Sequence, residues 1–358
     1  MSENTKTFFY HDKPLFGMDI GFSSIKVMQI DPQSKDAKRK VTGYGTAHIP
    51  PSTDDKGTLT NPQGIAEAMY NLFEKNIVGE ITSRRVAIAI PSSSTFTRTL
   101  TLPLMAADDM RSAVQLDTEQ FVPVPVKDLY IDYNVIGKRE DGIDILTVAV
   151  PKKIVGSYLT LAKLLNLEVI SIQSTIGAEA RLFVQSELSD VPTVLIDLGT
   201  LSTDITIHDN TIVVSGTVAG GGEIFTKSIA DKLGLSVQEA HTIKTKYGLG
   251  VSKKQQDIRT ALSPTLDQLV KELRRLIRYY EERGERKKKI SQIVTMGGGA
   301  SMPGLSDYLT DILRLPVRMI DPWQHLQFGN LQQPNSADKS MYVTVAGLAL
   351  TEPKELFS

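Results

Sequence analysis

Apolar residues along this chain recur with the spacings of strands and helices, and the pattern predicts a mixed α/β protein. Met18 and Ile20 precede a Gly-Phe-Ser-Ser turn, and Ile25 and Val27 follow it. A β-hairpin is therefore predicted over residues 15–30. Apolar residues at helical spacing predict helices over residues 62–75, 106–121, 153–165, 236–246, 262–283 and 303–313.

The second half of the chain repeats this arrangement. Residues 203–208 and 211–215 are predicted to pair across an Asp-Asn turn. An Asp-x-Gly motif follows an apolar strand in both halves, at Asp19 and at Asp197. The repeat is weak and spans about half the chain, which indicates two related lobes that face each other.

Residues 85–165 interrupt the first lobe. Their predicted order is strand, strand, helix, strand, strand, helix, which is typical of a compact α+β module inserted into a larger domain. The alternative is one continuous α/β domain. With residues 85–165 as an inserted module, the first lobe consists of residues 15–84, 166–192 and 341–358. The second lobe consists of residues 193–340, and residues 1–14 form a flexible N-terminal arm.

The composition excludes several classes of protein. The 358 residues have a formal net charge of −1, which argues against nucleic acid as the main partner. Cysteine is absent, so the chain has no disulfide, thiolate metal site or cysteine nucleophile. No apolar run approaches the length of a membrane span, and the N-terminus has no signal-peptide core. We therefore expect a cytosolic protein.

The two Asp-x-Gly hairpins have the chemistry of a polyphosphate site. Glycine lets backbone N–H groups approach a phosphate closely, and successive amides form a nest for an anion. Asp19 and Asp197, at the ends of their strands, are suited to hold Mg²⁺ directly or through its water shell. Ser23 and Lys26 would lie close enough to contribute.

Two further glycine runs fit the same site. Gly297-Gly298-Gly299 ends a strand, where an adenine or ribose could lie against bare backbone, and Gly220-Gly221-Gly222 opens a helix with an anion-friendly terminus. Each motif alone is more often a plain turn or loop. Their joint order, each directly after an apolar strand, favours a nucleotide cleft between two lobes.

With these motifs, the chain resembles the actin-like superfamily of actin, Hsp70 and the sugar kinases. Within it, residues 15–350 are most similar to the PilM family of type IV pilus assembly, with the cell-division protein FtsA as a relative. The resemblance rests on the motifs that begin at Gly17, Ile196, Gly220 and Gly297, on the Gln238-Glu239-Ala240 stretch with Lys244, and on the inserted module.

The resemblance implies an α/β, two-lobed, ribonuclease H-like duplicated fold with an inserted 1C (SHS2-like) α+β module. It implies that the chain binds ATP with Mg²⁺ held by Asp19 and Asp197. Together with the motifs, it assigns nucleotide binding to Asp19, Gly21, Ser23, Ser24, Lys26, Asp197, Gly199, Thr203, Gly220, Gly221, Gly222, Glu239, Lys244, Gly298, Gly299 and Ala300.

The chain also departs from the family pattern. His241 stands where the family usually repeats an acid, which puts the ribose contact there in doubt. No clear water-activating acid stands on the helix predicted at residues 174–186. Glu179 is the candidate, and a surface helix charge is the more frequent meaning of such a residue. Without a positioned base, in-line attack on the γ-phosphate gains little, so we expect slow or absent hydrolysis.

The resemblance also implies partners. PilM-like proteins bind the cytoplasmic N-terminal tail of a membrane protein, PilN, and we expect the groove beside residues 86–90 and the helix at 106–121. An extended peptide would add to a sheet edge or insert apolar side chains there. The protein would be cytoplasmic and reach the inner membrane through this partner. Pilus motor ATPases and a homo-oligomer stay open as further partners.

Two other functions remain. An FtsA-like cell-division protein would form filaments, but FtsA-like chains end in a linker and an amphipathic helix. Residues 351–358 are too short for one, which favours the pilus function. A small-molecule kinase of the same superfamily would need a polar substrate pocket with a catalytic carboxylate, and no residue is assigned to that role.

Overall fold

The computed structural model of the chain describes residues 13–32, 38–52, 57–138, 142–185, 190–283, 288–336 and 338–352. The predicted N-terminal arm lies outside them except for its last two residues. The described residues form two compact units. Unit 1 draws on Met1–Ser186, Pro322–Pro334 and Tyr342–Ser358, and unit 2 draws on Glu187–Asp321 and Asn335–Met341.

Strands and helices alternate along most of the chain. The strands are β1 (Phe16–Ile20), β2 (Ser24–Ile30), β3 (Arg39–His48), β4 (Ile77–Gly79), β5 (Arg85–Ile90), β6 (Phe96–Leu102), β7 (Leu129–Lys138), β8 (Ile143–Pro151), β9 (Glu168–Ser174), β10 (Thr193–Leu198), β11 (Ser202–His208), β12 (Ile212–Ala219), β13 (Gln292–Met296), β14 (Val317–Met319) and β15 (Leu326–Gln327). The helices are α1 (Pro62–Lys75), α2 (Ala107–Phe121), α3 (Lys152–Leu164), α4 (Thr175–Val184), α5 (Gly222–Leu233), α6 (Val237–Lys246), α7 (Gln255–Arg283), α8 (Leu305–Leu313) and α9 (Val343–Ala349).

The large sheet of unit 1 has the strand order β15-β3-β2-β1-β5-β9, and β4 also pairs with β3. The hairpin predicted at residues 15–30 is confirmed, because β1 and β2 pair antiparallel. Strand β1 also pairs in parallel with β5, and β5 in parallel with β9. Side chains of β1 point alternately to two cores, so Phe16 and Met18 pack with Tyr158 of α3, whereas Gly17 lies under α9.

Helices α4 and α9 cross on the second face of this sheet with their backbones in contact. A Cβ atom at Gly347 of α9 would lie 1.9 Å from the carbonyl oxygen of Ala178 in α4, so only glycine fits. At Gly17 of β1, a Cβ would lie 2.6 Å from the carbonyl oxygen of Val345. Helix α9 therefore closes the core over β1.

A separate three-stranded sheet in unit 1 has the order β6-β8-β7, and apolar side chains of α2 pack on one of its faces. This part is smaller than the module predicted at residues 85–165. Strand β5 belongs to the large sheet, and α3 packs into the core of that sheet through Ile154 and Leu161. Both elements are apolar on the side that the large sheet buries, and sequence order alone does not reveal this.

Unit 2 is built on a five-stranded sheet of order β12-β11-β10-β13-β14. Strands β10, β11 and β12 are antiparallel neighbours, and β10 pairs in parallel with β13. Helices α5, α6, α7 and α8 share one core with this sheet. Helix α7 begins at Gln255 rather than at Leu262, since Ile258 extends its buried face. Pro264 lies inside the helix but is exposed.

The segment 322–334 was assigned to the second lobe from the sequence, but it contacts unit 1. Strand β15 pairs in parallel with the start of β3, and the Tyr44 hydroxyl donates to the carbonyl oxygen of Gln332. Trp323 and Phe328 meet edge to face at 4.9 Å between ring centroids. These are long-range contacts of an irregular segment. None of the helices in the described part of the chain combines the length and apolar character that a bilayer span requires.

Candidate functional site

The two β-hairpins that carry Asp19 and Asp197 have the same turn. In the first, the backbone N–H of Gly21 donates to the carbonyl oxygen of Ser24 at 2.9 Å. In the second, the N–H of Gly199 donates to the carbonyl oxygen of Ser202 at 3.0 Å. The repeat read from the sequence is therefore a repeat of backbone geometry, with each aspartate at the end of its strand.

The first hairpin holds its aspartate in a buried ion pair. Asp19 lies opposite Lys26, and the lysine Nζ is 3.2 Å from the Asp19 Oδ2. The turn between them is fixed by a neighbouring segment. Ile49 N–H donates to the Ser23 carbonyl oxygen, and the Ser52 hydroxyl donates to that of Gly21 at 2.9 Å. Of the predicted residues in this turn, Gly21, Ser23 and Ser24 are half-exposed.

The second hairpin places another acid at the position of the lysine. Asp197 lies opposite Asp204, which is 6% exposed and accepts a hydrogen bond from the Thr217 hydroxyl. Burial raises the pKa of Asp204 to about 6, although the hydrogen bond from Thr217 acts in the opposite direction. Asp204 is not among the site residues assigned from the sequence. Its equal spacing from the aspartate, as in Asp19 and Lys26, is the signal that could have singled it out.

The glycine run at residues 220–222 packs directly on this second turn. The Gly222 N–H donates to the Gly199 carbonyl oxygen at 2.9 Å, and a Cβ at Gly221 would lie 2.4 Å from the same oxygen. The Thr203 hydroxyl donates to the Gly220 carbonyl oxygen at 2.9 Å. The start of α5 and the turn after Asp197 therefore form one continuous backbone surface.

Lys244 of α6 joins the same surface. Its Nζ donates to the Gly222 carbonyl oxygen at 2.8 Å, and its burial lowers the pKa of the ammonium group. Glu239 lies on the first turn of α6, where its Oε2 accepts hydrogen bonds from the N–H and hydroxyl of Ser236. These bonds form a capping box and lower the pKa of Glu239. One oxygen of the Glu239 carboxylate is thus used to cap the N-terminus of α6.

His241, on the same helix, is exposed. Partial desolvation, followed by the charge of Lys244, lowers the pKa of its imidazole. The imidazole is therefore neutral at pH 7, unlike the acid that the family pattern has at this position.

The second glycine run, at residues 297–299, returns to the strand end that carries Asp197. Gly299 N–H donates to the Leu198 carbonyl oxygen at 2.9 Å. At Gly297, whose φ is +82°, a Cβ would lie 2.0 Å from the Asp197 Oδ1. Gly298 is exposed, and no atom lies within 4 Å of the position its Cβ would take, whereas Ala300 is buried. An open strip of backbone is thus held beside Asp197.

Most of the predicted residues are therefore brought together inside their own unit. Unit 1 groups Asp19, Gly21, Ser23, Ser24 and Lys26 on one hairpin. Unit 2 groups Asp197, Gly199, Thr203, Gly220, Gly221, Gly222, Lys244, Gly298, Gly299 and Ala300 around one strand end, with Glu239 on the cap of α6.

Glu179 is not the surface helix charge that the sequence favoured. It is 4% exposed, and its Oε1 accepts a hydrogen bond from the Thr344 hydroxyl of α9 at 2.9 Å. The start of α4 carries hydroxyls instead of an acid, because the Ile176 N–H donates to Ser92 and the Gly177 N–H to Ser174. Glu179 is buried because α9 packs across α4.

Carboxylates of unit 2 suit a divalent cation. Asp197 and Asp204 are cross-strand partners on one face of the sheet, and Mg²⁺ accepts one or two carboxylates while keeping several waters. Within the described ranges, no cluster of three or more His, Cys, Asp or Glu side chains forms a closed metal cage. A magnesium ion held by few carboxylates and completed by phosphate and water fits this arrangement.

The groove was expected beside residues 86–90 and the helix at 106–121, and the fold leaves room for a peptide at only the second of these places. Strand β5 is buried along its whole length and paired on both sides, so no peptide can add to it. The end of α2 is different, since an open cavity there is lined by Glu119, Val122, Pro123, Val124, Pro125, Val126 and Lys127.

Comparison with known proteins agrees with these motifs. The family model described as type IV pilus assembly protein PilM matches residues 17–352. The structure of a PilM–PilN type IV pilus biogenesis complex is similar with a TM-score of 0.80 and 21% identity, over 95% of this chain and 98% of that one.

More distant structures share the fold. The ethanolamine utilization protein EutJ of Carboxydothermus hydrogenoformans has a TM-score of 0.56 and 16% identity, over 94% of this chain and 89% of its own. MreB5 of Spiroplasma citri bound to AMPPNP has a TM-score of 0.53 and 14% identity, over 94% of both chains. These likenesses show the actin-like fold and confirm the predicted fold class.

Proposed function

Because the chain belongs to the family of the type IV pilus assembly protein PilM, we propose that it is an ATP-binding, actin-like scaffold of the pilus machinery. It docks the cytoplasmic N-terminal peptide of a PilN-like membrane protein. It is a cytoplasmic protein that is held at the inner membrane through this partner. The family match across residues 17–352 carries the proposal, and the similar PilM–PilN structure supports it.

Each unit carries motifs with the chemistry of a nucleotide site. Backbone amides of the turns after Asp19 and Asp197 would hold the phosphates, and Lys26 would add a positive charge. The open backbone at Gly298 and the surface made by Gly222 and Lys244 would hold the adenosine. MreB5, which shares the fold, was solved with AMPPNP bound.

Magnesium would be held mainly from unit 2. We assign it to Asp197, as the sequence predicts, and add Asp204 as the carboxylate that faces it across the strands. Asp19, the other predicted ligand, can contribute only through water or by giving up part of its contact with Lys26, which lies 3.2 Å from it. The bound ion would neutralise phosphate charge.

Hydrolysis is proposed to be slow or absent. Glu179, the candidate for activating water, is buried and accepts a hydrogen bond from Thr344. The first turn of α4 is bonded instead to the hydroxyls of Ser92, which follows β5, and of the cap residue Ser174, and hydroxyls are weak bases. Nucleotide binding would then regulate docking rather than supply chemical energy at each step.

The partner peptide would dock at the end of α2. The cavity there is lined by valine and proline between Glu119 and Lys127, so it offers apolar contact with one charge of each sign at its rim. An apolar peptide with polar ends would fit such a surface. A Val124→Asp substitution should abolish docking, and Val135→Asp, at an exposed valine of β7 outside the cavity lining, is the control.

Calorimetry with a slowly hydrolysed ATP analogue tests the nucleotide site. We expect Asp197→Ala to weaken binding at least tenfold in magnesium and to have a much smaller effect in EDTA. Equal affinities for wild type and variant in magnesium would contradict the assignment. If titration of the wild-type chain with the analogue gives no heat, nucleotide binding itself is contradicted.

A pull-down with synthetic cytoplasmic tails of pilus membrane proteins, with and without ATP, tests the partner. We expect a PilN-like tail to be retained. Retention of none of them, together with nucleotide-dependent pelleting, would favour the FtsA-like filament function instead. Phosphorylation of a small molecule in a turnover screen would favour the kinase function.

A further inference from the structure

The two sheets that follow the duplicated hairpins differ at one edge. In unit 1, the third strand of the meander, β3, is covered: β4 pairs antiparallel with Gly43–Gly45 and β15 pairs in parallel with Arg39 and Lys40. In unit 2, the corresponding strand is β12, and it ends the sheet. Within the part of the chain that the structure describes, β11 is the strand that pairs with β12, and no strand pairs with its other side.

Strand β12 lacks the features that normally protect a sheet edge. Its eight residues, Ile-Val-Val-Ser-Gly-Thr-Val-Ala, include no charge and no proline. The other long edge strands that the structure describes carry charges: Arg98 in β6, Asp132 and Lys138 in β7, and Glu168 in β9. A register shift occurs only at the start of β12, opposite His208. The rest of β12 pairs regularly with β11, so its outer edge has the geometry to pair with a further strand.

The surface beside this edge is complementary to itself. Helix α7 lies over the strand at Gly216, where Leu276 and Glu272 are the nearest side chains. Glu272 binds Arg275 through two hydrogen bonds, and the arginine is exposed. A two-fold axis near Gly216 would bring two such acid–base pairs together.

We propose that β12 is a homodimerisation edge, at which a second copy of this chain adds its own β12 in antiparallel pairing around Gly216. Two-fold symmetry requires a self-complementary patch, and an uncharged strand flanked by one acid and one base provides it. Paired strands lie about 4.8 Å apart and packed helices about 8–10 Å apart, so the two α7 helices would lie side by side on one continuous sheet. This inference is independent of nucleotide and of the pilus partner.

Sedimentation velocity over a range of protein concentrations tests the proposal. We expect a monomer–dimer equilibrium for the wild type, and Ser215→Lys should weaken it about tenfold or more, since lysine on an edge strand opposes strand addition. Ser306→Lys, at a half-exposed serine on α8, is the matched control and should dimerise as the wild type does. Thermal melting checks that both variants fold.

Cysteine cross-linking gives a second readout, because the chain has no native cysteine. Ser215→Cys is nearly isosteric, and pairing around Gly216 would place the two cysteines diagonally across the axis, beyond the reach of a disulfide. A short bis-maleimide should therefore link Ser215→Cys into a covalent dimer, whereas Ser306→Cys should stay monomeric. A wild type that is monomeric at every concentration would overturn the proposal. So would a dimer that Ser215→Lys leaves intact, or equal cross-linking of the two cysteine variants. An extended peptide protecting β12 from hydrogen exchange in a monomeric protein would assign the edge to that peptide instead.

Discussion

The hairpins at Asp19 and Asp197 share a backbone and differ in charge. Each has a glycine N–H that bonds to a serine carbonyl across the turn, and each has a buried residue opposite the aspartate. That residue is Lys26 in the first hairpin and Asp204 in the second. The first hairpin is therefore neutralised internally, whereas the second holds two acids. One fold element thus carries an ion pair in one unit and two facing acids in the other.

The ion pair of the first hairpin gives the largest expected effect. Asp19→Ala leaves the buried Lys26 ammonium without its carboxylate, and unfolding in urea should show a loss of about 3–5 kcal/mol. Asp197→Ala removes one of two neighbouring acids and should change stability far less. The double variant Asp19→Ala with Lys26→Met should recover most of the loss. A double variant as unstable as Asp19→Ala would show that the pair is not what holds this hairpin.

The glycines beside Asp197 separate folding from binding. Gly297→Ala forces a Cβ onto the Asp197 carboxylate at a positive φ, and we expect a loss of about 1–3 kcal/mol in thermal unfolding. Gly298→Ala meets no atom and should leave stability unchanged while weakening ATP binding. If Gly298→Ala binds ATP as the wild type does, the adenosine lies elsewhere.

The paired acids of the second hairpin predict a pH dependence. The folded-state pKa of Asp204, about 6, lies above the ordinary value for aspartate, so the folded chain binds this proton more tightly than the unfolded chain does. The contribution of Asp204 to stability is therefore present below about pH 4 and is lost as the pH rises to about 6. Asp204→Asn keeps an acceptor for Thr217 and should stabilise the free protein by about 1–3 kcal/mol at pH 7.5 and by little at pH 4.

Magnesium with a nucleotide should reverse that preference. If Asp204 helps to hold the cation, Asp204→Asn should gain stability without ligand and lose affinity with it. A variant that shows the same stability gain at both pH values would indicate that the effect comes from packing and not from charge.

The smallest expected effect concerns the hydrogen bond that fixes each turn. The Gly21 carbonyl oxygen accepts from the Ser52 side chain, whereas the Gly199 carbonyl oxygen accepts from the backbone of Gly222. Ser52→Ala should therefore cost about 1 kcal/mol and lower ATP affinity a few-fold. Thr60→Ala, which removes the hydroxyl that bonds to the Ser52 carbonyl oxygen, is the control and should leave ATP affinity unchanged.

Much of this could be predicted from the sequence because it is local. The hairpins, the helix after Ser236 and the two glycine runs depend on residues a few positions apart, and they form as the spacing indicates. The sequence could not assign β5 to the large sheet, pack α3 on the core of that sheet, assign residues 322–334 to unit 1, or bury Glu179 under α9. Each of these depends on contacts between segments far apart in the chain.

The position of α9 has a consequence for synthesis. This helix covers β1 at Gly17, yet all of α5–α8 is translated between them. Helix α4 can cover part of this face early, but the apolar surface around Gly17 stays exposed to water until α9 leaves the ribosome. We expect a nascent chain halted after residue 321 to be a chaperone client, and no contiguous stretch of the gene to encode unit 1 by itself.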